Sequence, residues 1–111
     1  MLVRIYSGED GQSHFEELDF PTGPAGRSPL QEAKGISFSR FEPGQFMDWH
    51  NAPRRQYVIT LSGQVEIGIG DGTVRRLGPG DVLLAEDLTG RGHTTRAVGK
   101  ETRVTAIIPL A

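Results

Sequence analysis

Apolar and polar residues alternate along this chain in short runs, and nowhere do apolar positions recur every three to four residues over a helix's length. From Gly35 onward the runs follow one another closely. They predict strands at Ile36–Phe41, Phe46–His50, Gln56–Ser62, Val65–Ile69, Thr73–Leu77, Asp81–Leu84, Gly92–Thr95 and Arg103–Ile108. Leu2–Tyr6 reads as an opening strand. Ser7 to Pro29 is polar and turn-rich, an irregular arm with one helical turn or a short strand around His14–Leu18. Asp71–Gly72 supplies a hairpin turn, and Gly63 is expected between two strands at a position that demands positive φ. No repeat or linker is visible. The pattern predicts an all-β chain, a barrel or sandwich in one domain, with residues 1–34 as strand and arm packing on a barrel formed by 35–111.

Side-chain alternation sorts the central strands into two faces. If His50 and Gln56 point inward, Phe46, Asp48, Ala52, Val58 and Thr60 follow them. Met47, Trp49, Tyr57, Ile59 and Leu61 then form an outward apolar stripe that should not stay wet. The Ser7–Pro29 arm or a second copy of the chain would cover it, unless both faces belong to one sandwich core. A second copy is the expected cover, which predicts a two-fold homodimer.

Fifteen Gly and seven Pro among 111 residues agree with many tight turns. The formal net charge of -2, with arginines scattered rather than clustered, argues against a nucleic-acid partner. The absence of cysteine excludes disulfides, thiolate metal sites and a cysteine nucleophile. The opening MLVRIYSGEDG has no apolar core of a signal peptide, and no run approaches a membrane span. These features point to a cytoplasmic protein without membrane contact.

The densest chemistry lies between Gly44 and Gly63. Gly44 is followed after five residues by His50, then by Ala52, then after three residues by Gln56, and after six more by Gly63. A second string, LGPGDVLLAEDLTGRGHTTR, carries the Pro79–Gly80–Asp81 turn and then Gly90, two residues and His93. In these two half-motifs the chain resembles the small single-domain cupins, the RmlC-like double-stranded β-helix, over roughly Gly35 to Pro109. The resemblance implies an antiparallel β-barrel or jelly roll. It also implies that the family's metal ligands fall on His50, Gln56 and His93. Ala52 stands where the family has a second His, and Gln56 where it has Glu. Leu88 and Ala97 replace a Pro and an Asn in the second motif.

Two imidazoles and an uncharged amide imply either no cofactor or a weakly held divalent metal such as iron, nickel, zinc or manganese. Asp48, on the expected inward face, is a candidate ligand-binding or supporting carboxylate. Arg54 and Arg55, in the turn before Gln56, and Arg96, three residues after His93, are candidates to attract an anion. His14 reads as a surface residue, Glu86 and Asp87 as a solvated pair at a strand end, and GIGDG lacks the context of a dinucleotide loop. Three functions fit. The cavity holds a small polar, anionic molecule and His50 and His93 perform acid–base catalysis, of an isomerase or lyase type. Alternatively the pocket only binds or senses a ligand. The third is a metal-dependent oxidoreductase or lyase.

Overall fold

Turn residues cut the chain into ten strands and no helix in the computed structural model, which describes residues 1–111. They are β1 (Leu2–Ser7), β2 (Ser13–Leu18), β3 (Ser37–Phe41), β4 (Phe46–His50), β5 (Gln56–Ser62), β6 (Gln64–Gly68), β7 (Val74–Leu77), β8 (Val82–Glu86), β9 (His93–Val98) and β10 (Arg103–Pro109). Six of them form a sheet in the order β2-β1-β8-β5-β10-β3. The other four form a second sheet, β4-β9-β6-β7. Every pairing is antiparallel except β1 with β8, which runs parallel. No helix of the chain is long and apolar enough to cross a membrane.

The core lies between the sheets. Val3, Ile5 and Leu83 of the larger sheet meet Val65, Ile67 and Leu77 of the smaller, all nearly or fully buried. Each such side chain stabilises by about 1.5–3 kcal/mol relative to exposure. Because Val3 and Ile5 belong to this core and β1 lies between β2 and β8, residues 2–18 are integral sheet. The irregular stretch begins only after Leu18, and its one sheet-like contact is the Ala33–Leu110 bridge.

A turn between the sheets and a bulge within the smaller one set the local geometry. Gly63 joins β5 to β6 at φ 72°, and a Cβ there would come within 2.6 Å of the Arg103 Cα. The second feature corrects the face assignment on β4. Met47 pairs with Thr95 and His50 with His93, so the register slips between them. Two residues, Asp48 and Trp49, therefore oppose one, which is a β-bulge. The bulge turns Met47 inward and keeps Phe46, Asp48 and Trp49 outside. The expected stripe is also divided between sheets: Trp49 stacks under Arg91 on the small sheet, while Tyr57, Ile59 and Leu61 lie on the outer face of the large one.

On that outer face, β5 and its neighbour β10 carry no charged side chain. Ile59, Leu61, Val104 and Ile108 continue to Phe38 on β3, with Phe38 67% and Leu61 50% exposed. We propose that a second copy of the chain covers it. Two-fold pairing brings like against like, and an uncharged centre has no charge to repel its own image. Light scattering at micromolar concentration should find a dimer that Leu61→Glu dissociates and Trp49→Glu leaves intact; a monomeric wild type would overturn this. Gly63→Ala should lower stability by about 1–3 kcal/mol from backbone strain alone, read as a lower denaturant midpoint, and more if β10 has to shift away from the new methyl.

Candidate functional site

Toward one end the sheets part around a cavity of about 260 Å³, to which both contribute. His50, Ala52, Gln56 and His93 all line it, as do Met47, Val58, Ile67 and Leu83. The β4–β9 register sets His50 directly opposite His93, and the two rings meet edge to face with centroids 4.4 Å apart. Gly92 permits this approach. Its φ is 79°, and a Cβ on it would fall 2.0 Å from the His50 carbonyl oxygen.

Each imidazole is oriented from behind. His50 Nδ1 lies 2.7 Å from the Asp48 carbonyl oxygen, which can only accept, so Nδ1 is the protonated nitrogen. His93 Nδ1 lies 2.5 Å from Asp87 Oδ2, to which Ser13 Oγ also donates at 2.8 Å. With both Nδ1 positions engaged, both Nε2 atoms of the neutral rings are left as proton acceptors for the cavity. Asp87 is fully buried, and its Oδ1 has no partner. The sequence treats Asp87 as half of a solvated pair; it is instead the carboxylate behind His93. A backbone bond from Ala52 N to the Asp87 carbonyl, 3.1 Å, draws the β8–β9 connection inward at that point.

Gln56 is 9% exposed at the start of β5, and Ala52 beside it presents only a methyl. The other candidates lie elsewhere. Asp48 is turned outward by the bulge, and its Oδ1 caps the Trp49 amide. Arg54 is exposed and outside the lining. Arg55 is bonded through Nε to Glu86. Arg96 covers the Phe46 ring at 4.4 Å on the outer face of the small sheet. None of the four lines the cavity. The arginine that does is Arg103 of β10, 8% exposed, which the motif spacing gave no reason to select.

Two sheets enclosing such a cavity match solved structures of one architecture. A protein of unknown function from Rhizobium leguminosarum aligns over 86% of this chain and 97% of its own, at 20% identity and a TM-score of 0.56. A Klebsiella pneumoniae protein with a double-stranded β-helix domain aligns over 72% of this chain and 66% of its own, at 24% identity and 0.55. A Bordetella pertussis cupin domain aligns over 74% and 92%, at 17% and 0.54. The chain has the cupin fold. No protein-family model matches it, and no curated protein does.

At the positions where the motif resemblance sets metal ligands, this chain presents His50, Ala52, Gln56 and His93. No three His, Cys, Asp or Glu side chains are grouped to hold an ion. Two neutral imidazoles and an amide supply no anionic donor, and Asp87 is committed to His93 and Ser13. This donor set does not fit a resident divalent cation.

Glu86, next to Asp87, has a structural task. It accepts from Arg4 Nε at 2.6 Å and from Arg55 Nε. Burial by itself would raise its carboxyl, but the two guanidinium bonds outweigh that and hold it below its ordinary value. A carboxyl depressed in the folded state stabilises fully above its unfolded value and loses that contribution as pH falls through the folded one. Denaturation midpoints between pH 7 and pH 3 should therefore show Glu86→Gln destabilised at neutrality, with the gap to wild type closing as the pH drops below about 4.

Proposed function

We propose that this cupin is a proton-transfer enzyme of the isomerase or lyase type, acting on a small polar molecule held in the cavity. The observation that carries it is the series Asp87, His93, His50. A buried carboxylate fixes one imidazole, and that ring abuts a second imidazole at the cavity wall. The same carboxylate–imidazole support recurs wherever a histidine must act as a base in a defined tautomer.

The roles follow from the neighbours. His93 takes a carbon-bound proton at Nε2, and Asp87 faces the positive charge that then develops. His50, with Nδ1 bonded to a carbonyl, takes the substrate's hydroxyl proton at Nε2 and passes it to the neighbouring substrate oxygen. His93 then returns its proton to the neighbouring carbon, and because the oxygens have only exchanged one proton through His50, the isomer has gained and lost no atom.

The test is solvent exchange. In deuterium oxide, a panel of small hydroxy acids, keto acids and sugars is followed by proton NMR for protein-dependent loss of a carbon-bound proton. One class should exchange. His93→Asn and His50→Asn should each slow it by on the order of 10²–10⁴-fold, and Asp87→Asn by on the order of 10²-fold or more, as the tautomer of His93 is no longer fixed. A panel in which no member exchanges overturns the proposal, and a member that binds without exchanging marks the pocket as a binding module.

A further inference from the structure

Arg103 is the charged group of the cavity that proton transfer leaves unexplained. It is 8% exposed and lines the cavity, yet no Asp or Glu oxygen lies within ion-pairing distance of it. Its side chain makes one hydrogen bond, a long one, from Nη2 to Thr60 Oγ1 at 3.5 Å. Its Nε is buried with no partner at all. Burial lowers its pKa to about 10, which leaves it a cation at neutral pH. A buried guanidinium without a counterion is costly, and most of its donors remain unused.

We propose that Arg103 anchors an anion, and that the molecule bound here is a short monocarboxylic acid with an aliphatic middle and an oxygen-bearing carbon at its far end. Its carboxylate sits on the guanidinium beside Thr60, its hydrocarbon against Val58, Ile67 and Leu83, and its reacting carbon at the histidine pair. This deepens the proton-transfer reading and rests on it for the last of those three placements. Carboxylate is chosen over phosphate because a single positive charge with neutral neighbours balances one negative charge, not two. The planar guanidinium fork also fits the two oxygens of a carboxylate.

Length follows from the ladder. Thr60 lies four residues along β5 from Gln56, about 13 Å of strand. Side chains reaching in from both ends leave roughly half of that, room for a chain of about four to six carbons. The walls between the ends are apolar, so a hydrocarbon middle matches them better than a polyhydroxylated one.

Amide NMR titration of the whole chain with hexanoate, butanoate and hexanamide decides the matter. Hexanoate should shift the resonances of the cavity-lining residues and bind at least tenfold more tightly than hexanamide, with butanoate between them. Arg103→Met should abolish the preference for hexanoate over hexanamide, and Arg103→Lys, which keeps the charge without the fork, should retain part of it. Hexanamide binding wild type as well as hexanoate overturns the proposal. So does a folded Arg103→Met that binds hexanoate like wild type. Should Arg103→Met fail to fold, the wild-type comparison and Arg103→Lys decide instead, and a lysine variant with the full wild-type preference counts against the fork. The readout is binding, so failure of solvent exchange would remove the catalytic reading and leave the anchor standing.

Discussion

The burial of Asp87 is the constraint to which the rest of this site is fitted. A carboxylate with no solvent exposure has to be matched by donors, and the donors come from distant parts of the chain: Ser13 on β2, near the N-terminus, and His93 on β9, in the opposite sheet. Its backbone carbonyl also receives the Ala52 amide from the β4–β5 connection. One residue thus joins the N-terminal hairpin, the larger sheet and the smaller sheet at the end where the cavity opens. Removing a partner leaves a buried carboxylate short of a donor, typically a loss of about 1–3 kcal/mol or more for a charged group. That cost restrains the histidine as firmly as the fold does.

Most of the architecture was legible because strand signals are local. Alternation and Gly- or Pro-bearing turns mark nine strands within a few residues of where they stand, and a short strand at His14–Leu18 was one of two readings open for β2. Gly63 could be singled out because a tight strand-to-strand turn has few solutions, and its φ of 72° meets that requirement. The failures have one physical origin. Alternation carries a face assignment along a strand only while the ladder stays regular, and the slip between Met47 and His50 exchanged the sides of Met47 and Asp48. No local pattern announces such a bulge when neither residue is glycine.

Asp87 and Arg103 were hidden for a different reason. Each earns its role through partners far away in sequence, 74 residues for Ser13 with Asp87 and 43 for Thr60 with Arg103. An acidic pair at a strand end looks solvated, and an arginine opening a strand looks like a surface residue. Only the three-dimensional closure of the two sheets separates Glu86, held between Arg4 and Arg55, from Asp87 one position later, turned inward. Adjacent residues on a strand end point to opposite sides, so one carboxylate stabilises the outside and the other supports the cavity.

The electrostatic layout of the interior is therefore directional. A fixed carboxylate stands behind His93 at one end, and an uncompensated guanidinium beside Thr60 stands toward the other, with an apolar belt between them. Little water is there to screen either charge, so each acts strongly on whatever occupies the space nearest to it. A molecule with a negative end and a proton-bearing carbon has one favourable orientation in such a field, and the reverse orientation sets its anion against the histidine supported by Asp87. Ala52 and Gln56 put neither a third imidazole nor a carboxylate on the wall, groups that would draw a cation into the same space. What remains of the cupin framework is a pair of imidazoles held in one tautomer, facing a pocket whose single unpaired charge is positive.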